Sequence, residues 1–194
     1  MLLAAGAGRR MGRPKALLRD AHDVPFLDRA IGELLAGACE RVTVVLGASA
    51  GEARAVLDEA GWSGDDAVDV VVADDWDEGM SASLRTGLRA LGERDADAAL
   101  VTLVDLPDVG AEVLRRVAAA AQEPSRSALV RATYDGRPGH PVLLGRDHWA
   151  GVLGSARGDH GARGYLSGHA HVTCECGDLA TGRDVDRPSD LPPG

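Results

Sequence analysis

The sequence predicts a three-layer α/β fold, a mostly parallel sheet with helices on both faces. Three observations carry this. Short apolar runs alternate with helical patterns along nearly the whole chain, the arrangement that builds parallel sheets from strand–helix–strand units. A glycine-rich stretch, "GAGRRMGRPK", directly follows the first apolar run. The fourth run, "AALVTLVDLP", ends at an acid and a proline. In such sheets ligands bind beyond the carboxyl ends of the strands, where both of these features lie.

The elements follow in order. "MLLA" reads as the first strand. In "PFLDRAIGELLAG" the residues Phe26, Leu27, Ile31, Leu34 and Leu35 share one helical face, and Gly37 is placed to end the helix. "RVTVVLG" is a buried strand, "AGEARAVLDEAG" a helix, "DVVVA" a third strand and "SASLRTGLRALGE" a helix starting near Ser81. The fourth strand and the helix "VGAEVLRRVAAAAQE" come next, then strands in "SALVRATY" and "HPVLLG". Between the last two, the turn-rich "YDGRPGHP" reads as an insertion. Short helices near "DHWAGVL" and "HGARGYL", a late strand near "AHVTCEC" and a proline-rich end complete the chain, which reads as one domain over residues 1–194. A first strand this short raises the expectation that the native start lies upstream of Met1.

Composition narrows the function. Of 194 residues, 45% are apolar and only 3% aromatic, so the core must be built from Ala, Val and Leu. The absence of an apolar run of 18 or more residues and the shortness of "MLLAA" predict a soluble, cytoplasmic protein. A formal charge of -9 argues against nucleic acid and anionic membranes as partners. Any polyanion must be small and held by a local positive site. Cys39, Cys174 and Cys176 form no disulfide framework, which fits a reducing compartment.

One such positive site stands out. Of the 21 basic residues, Lys15 is the sole lysine, and it sits with Arg9, Arg10 and Arg13 in a stretch that lacks acids. A Walker P-loop needs Gly-Lys-Ser/Thr, but Gly12 is followed by Arg13-Pro14-Lys15. A dinucleotide fingerprint needs G-x-G-x-x-G and an acid closing the second strand, but the spacing here is Gly6, Gly8, Gly12 and the second strand leads into Gly47-Ala48-Ser49. A loop serving only as a turn leaves the clustered cations unexplained. The remaining reading has backbone N–H groups wrapping a triphosphate while Arg10 and Lys15 neutralise it. An ammonium on a flexible stem can follow a phosphoryl group as its geometry changes.

"LAAGAGRRMGRPK" resembles the L-A-[AG]-G-x-x-x-R-M-G-x-x-K signature of MobA-like nucleotidyltransferases, with matches at Leu3, Ala4, Gly6, Arg10, Met11, Gly12 and Lys15. The resemblance implies a Rossmann-like fold of the nucleotide-diphospho-sugar transferase kind. It implies nucleotide binding by Leu3, Ala4, Ala5, Gly6, Gly8, Arg10, Met11, Gly12 and Lys15. It further implies a metal-binding Asp105 in "LVDLPDV", a carboxylate suited to Mg²⁺ or Mn²⁺. Asp108 reads as the cap of the next helix. "WDEGMSASLRTGL" resembles the G-M-S-x-S-L segment, placing Gly79, Met80, Ser81 and Ser83 at the nucleotide, with Ser81 also a candidate helix cap. Ala73-Asp74 stands where many members carry Asn-Pro.

"GRPGHPVLLG" resembles an element that sets a histidine, His140, near the acceptor, and "GDHGAR" a stretch that brings Asp159 and Arg163 to the far side of the cleft. "DVDRPSDL" resembles the closing signature and makes Asp186 a candidate second metal ligand. His169, His171, Cys174 and Cys176 crowd into "HAHVTCEC", but one straight strand cannot close a zinc tetrahedron, so the stretch reads as an ordinary strand.

The expected reaction is Mg²⁺-dependent transfer of a nucleotidyl group to a phosphorylated small-molecule acceptor, with Lys15, Arg10 and Asp105 as catalytic residues. Ala5 in L-A-A-G leans the resemblance toward CTP and molybdopterin cofactor, with a molybdoenzyme or its maturation chaperone receiving product. The alternatives are GTP as donor, a sugar phosphate as acceptor, a non-catalytic cofactor-delivery module and, last, a dinucleotide-dependent oxidoreductase.

Overall fold

Strand β1 (Leu2–Ala4) lies between β2 (Val42–Leu46) and β4 (Ala98–Leu103), parallel to both, with Leu2 opposite Val44 on one side and Thr102 on the other. A computed structural model describes residues 1–37, 39–121 and 125–190. A central strand is covered on both faces, so every residue of β1 and β2 is apolar or fully buried. Successive side chains point to opposite faces. Leu2, Ala4, Val42, Val44 and Leu46 therefore enter one core, and Met1, Leu3 and Val45 the other.

The described strands form one seven-stranded sheet in the order β3-β2-β1-β4-β6-β5-β7, adding β3 (Val68–Val72), β5 (Leu129–Tyr134), β6 (Arg137–Gly145) and β7 (Val172–Glu175). Only β6 runs against its neighbours β4 and β5. Helices α1 (Phe26–Gly37), α2 (Ala50–Glu59) and α4 (Ala111–Ala119) bury Ile31, Leu57 and Val117 in the first core. Helices α3 (Met80–Gly92), α5 (Arg146–Ser155) and α6 (Arg163–Ser167) bury Leu88, Trp149 and Leu166 in the second. The expected three layers are present.

Several details differ from the sequence reading. "YDGRPGHP" is no insertion. Asp135 (φ 51°) and Gly136 (φ 75°) form a two-residue turn, and β6 begins immediately at Arg137. Positive φ at both central positions matches the right-handed twist of paired strands, so this is a tight hairpin. The His140–Pro141 bond within β6 is cis. Helix α3 starts at Met80 rather than Ser81, and Ser81 makes no capping bond. Asp108 does not cap α4 either: its Oδ2 accepts from the Thr181 N–H and hydroxyl at 2.6 Å, while Glu33 of α1 accepts from the Ala111 N–H. Helix α4 ends at Ala119, short of the expected Glu123, and residues 122–123 of that expectation and 191–194 of the proline-rich end lie outside the described residues. In "HAHVTCEC" only Val172–Glu175 is strand, and His169 instead stacks on Tyr165 at 3.8 Å between ring centroids.

Candidate active site

The carboxyl ends of β1 and β4 open into a cleft of about 560 Å³, within the size range of small-ligand sites. One wall is the loop after β1. Gly8 takes φ +59°, and a Cβ there would fall 1.8 Å from the Arg13 carbonyl oxygen. The Gly12 N–H donates to Gly8 O at 2.9 Å, closing the turn. Met11 is buried in the first core beneath the loop and also reaches the cleft wall, so it anchors the backbone that would meet a ligand. The chain then enters a short 3₁₀ turn, Lys15–Leu17. Ala16 and Leu17 are buried in the core below it, while Lys15 lines the cleft. Arg13 donates to Leu17 O at 2.8 Å and is spent on holding that turn.

Lys15 is where distant parts of the chain meet. Its Nζ lies 2.5 Å from Asp105 Oδ2 and 2.5 Å from Asp186 Oδ1, and Arg10 Nη1 lies 2.7 Å from Asp186 Oδ2. The carboxyl-terminal segment is brought here by its backbone: the Val185 N–H donates to Asp105 O at 2.9 Å. Val185 drops into the core, so its neighbours Asp184 and Asp186 face the cleft. One carboxylate oxygen from each of Asp105, Asp184 and Asp186 lies within 4.8 Å of the others. Asp105 Oδ1 is buried and has no hydrogen-bond partner among the described residues.

The electrostatics follow from this crowding. Burial pushes the Asp105 carboxyl above its ordinary value, against the pull of the Lys15 ammonium. The hydrogen bond from Lys15 holds Asp186 below the usual carboxylate range. Burial opposes charge on Lys15, but Asp105 and then Asp186 outweigh it and raise its pKa. Three hard oxygen donors, one with an unused lone-pair direction, suit a divalent ion that also takes phosphate oxygens.

The opposite wall is formed by Trp76, Asp77 and the start of α3. Gly79 (φ +107°) passes so close to residues 158–159 that a Cβ would meet Asp159 Oδ1 at 2.5 Å. Asp159 accepts from the Met80 N–H at 3.3 Å, so it ties that loop to the α3 amino terminus while facing the cleft.

The structure gathers most of the sequence-predicted residues at this cleft. Leu3, Ala4, Ala5, Gly6, Gly8, Arg10, Met11 and Lys15 line one side, Gly79, Met80, Ser83 and Asp159 the other, with Asp105 and Asp186 between. Four residues fall outside its lining and correct the expectation. Gly12 is exposed on the outer side of the loop, where its role is the turn. Ser81 is fully buried, its hydroxyl without a partner among the described residues. His140 and Arg163 lie apart from the cleft lining. Burial, then the Arg131 guanidinium, pushes the His140 pKa down to about 4, so the ring is neutral at pH 7. Sequence reading missed Asp184 and Trp76. The D-V-D spacing with an apolar centre could have pointed to Asp184.

Comparison with known proteins agrees with this architecture. The chain matches the family model described as the MobA-like NTP transferase domain over residues 1–173. It is 34% identical over 200 aligned positions to nicotine blue oxidoreductase of Paenarthrobacter nicotinovorans, covering 96% of this chain and 90% of that protein. It is 30% identical to molybdenum cofactor guanylyltransferase of Rhodobacter capsulatus, covering 79% of this chain and 66% of that protein. Among solved structures, a Mycobacterium tuberculosis protein in complex with manganese superposes with a TM-score of 0.72 at 26% identity, covering 97% of this chain and 92% of that one. With sheet order, glycine-rich loop and family match in agreement, the chain belongs to the MobA-like NTP transferase domain family.

Proposed function

We propose that the protein transfers a nucleotidyl group from a nucleoside triphosphate to a phosphorylated acceptor, releasing pyrophosphate. The observation that carries this reading is the sole lysine, held 2.5 Å from Asp105 and Asp186 on the floor of a glycine-walled cleft. Asp105, Asp184 and Asp186 would hold a divalent metal such as Mg²⁺ or Mn²⁺, which when bound neutralises phosphate charge. A phosphate nucleophile is already ionised at neutral pH, so the site needs no general base. The protein's share is alignment and charge stabilisation. Backbone N–H groups of the Gly6–Gly8 turn cradle the phosphates, Lys15 and Arg10 follow the charge that develops on them, and Asp105 fixes where that charge gathers. CTP is the proposed donor and molybdopterin cofactor the proposed acceptor, passed on to a molybdoenzyme or its maturation chaperone. Ala5 borders the cleft at the root of the loop, where its methyl group limits the room for a base. The test is pyrophosphate release with each nucleoside triphosphate, with and without molybdopterin cofactor. Release with CTP that depends on the cofactor is expected. Saturation by GTP with indifference to CTP overturns the donor assignment, and failure to release pyrophosphate with any of the nucleotides overturns the reaction.

A second reading is favoured by the relative named nicotine blue oxidoreductase, which aligns over 96% of this chain. It predicts a redox change of nicotine blue, read from its absorbance, with a dinucleotide as the redox partner to test. Against it, β2 leads into Gly47-Ala48-Ser49, without the acid that holds a dinucleotide ribose. Running both assays on one preparation separates the readings.

A further inference from the structure

We propose that Lys15 is a tethered counter-cation that occupies the metal position in the resting protein and yields it when a divalent ion enters. The inference rests on the nucleotidyl-transfer reading of this cleft and adds an exchange to it. The Lys15 ammonium sits 2.5 Å from an oxygen of Asp105 and 2.5 Å from one of Asp186, two of the three carboxylates whose oxygens lie within 4.8 Å of one another. Octahedral Mg²⁺ at about 2.1 Å from its ligands spans about 4.2 Å between opposite oxygens. The ammonium and the ion therefore compete for the same donors.

Charge makes the exchange one-for-one in position. Three carboxylates are met by Lys15 and Arg10, and Arg187 acts on Asp186 as well, so the resting cluster already has its counter-charges. Adding a divalent ion while Lys15 stays would crowd an ammonium against a dication at a cluster whose Asp105 and Asp186 are half-buried. Removing Lys15 relieves that repulsion. Lys15 also leaves the cluster incompletely satisfied, since Asp105 Oδ1 is buried without a partner among the described residues. An ammonium with three donors cannot serve all the oxygens there, whereas a six-coordinate ion accepts more of them. The four-carbon stem of lysine permits the swing, and the glycine-walled loop beside it is where displaced ammonium and phosphate meet.

A consequence is coupling. Phosphates that attract Lys15 away from the carboxylates favour metal entry, and by linkage the metal favours nucleotide by the same factor. An arginine at this position, with a rigid planar fork, would not swing between the two sets of partners as readily, which suits the retention of one lysine among 20 arginines in the 21 basic residues.

The test uses the same uniqueness. Untagged protein grown with lysine labelled with ¹⁵N at the ammonium gives a single side-chain resonance, that of Lys15. In metal-free protein that resonance is expected to be sharp and protected from solvent exchange. Titration with Mg²⁺ should shift it or broaden it away, whereas the same ionic strength of KCl should not. In parallel, Mn²⁺ binding to Lys15→Met measured by calorimetry should be ~10-fold tighter than to the unaltered protein, within the usual range of site–site coupling. If Mn²⁺ binds both equally and the Lys15 resonance ignores Mg²⁺, the exchange is wrong and the transfer reading stands. If neither protein binds a divalent ion, alone or with nucleotide, the reading of the site falls and the exchange with it. Should Lys15→Met fail to fold, the resonance of the unaltered protein decides.

Discussion

Asp105→Asn separates what this site does for function from what it does for folding. The substitution keeps shape and removes a charge that burial disfavours. Because the folded-state pKa of Asp105 is raised, its ionised form opposes folding at neutral pH, and that cost declines as pH falls through the raised value. Asparagine keeps an unpartnered polar atom at the Oδ1 position, so that desolvation penalty of about 1–3 kcal/mol is common to both side chains and cancels. Against the removal of the buried charge stands the loss of one ion pair to Lys15, which retains its second partner, Asp186. The opposing effects are of similar size, so the net change in stability without metal should lie within about 1 kcal/mol, or roughly 2–4 °C in Tm for a chain of this length. Function should respond differently. Turnover is expected to fall ~10²–10³-fold, as when one preorganised charge-stabilising group is removed elsewhere. A ligand at 100 times its Kd stabilises the native state by about 2.7 kcal/mol. Saturating Mn²⁺ should therefore raise Tm of the unaltered protein by several degrees and leave Asp105→Asn nearly unmoved. Thermal unfolding in EDTA and in Mn²⁺, alongside pyrophosphate release, measures all three. A variant that unfolds many degrees lower in EDTA, or that keeps its full Mn²⁺ stabilisation, refutes the reasoning.

Three further outcomes are expected. Lys15→Ala should lose ~10²–10³ in turnover while retaining its circular dichroism spectrum, and Lys15→Arg should recover little of it; near-normal pyrophosphate release would remove the lysine from the chemistry. Gly8→Ala places a Cβ 1.8 Å from a backbone oxygen at φ +59°, so it should weaken nucleotide binding by deforming the loop, at a stability cost of at least ~1–3 kcal/mol from strain; calorimetric binding at wild-type affinity would contradict this. Glu175 accepts from the Thr133 hydroxyl and the Gly177, Gly136 and Asp135 N–H groups, which hold its pKa at about 2 against an ordinary 4.5. Its stabilisation is therefore complete above 4.5 and lost as pH falls toward 2, and Glu175→Gln should flatten the acid limb of an unfolding-versus-pH curve over that interval.

Much of the fold was legible because it depends on local periodicity. The apolar runs that became β1, β2 and β4 are buried on both faces, and the helical stripe of Phe26–Gly37 packs where its spacing placed it. The loop of 2–15 and Asp105 were legible because glycine, arginine, lysine and a strand-ending acid are chemically distinctive at short range. The Asp135-Gly136 pair is a hairpin signal in the sequence, but the prolines and glycines around it make the stretch look like an insertion.

Other features depended on where the chain returns. Ser81 and Ser83 are two residues apart in the same motif, yet one is enclosed in the molecule and the other faces the cleft, because α3 turns them by its helical step. Asp186 reaches Lys15 across 171 positions of sequence only because Val185 sinks into the core and its N–H is taken by the carbonyl of Asp105. By itself the sequence determined the kinds of element and the kind of chemistry, since both reside in neighbouring residues. Only the tertiary structure decided which charges meet, since a lone-pair direction left open on Asp105 and a third carboxylate from Asp184 are products of packing between segments far apart in the chain.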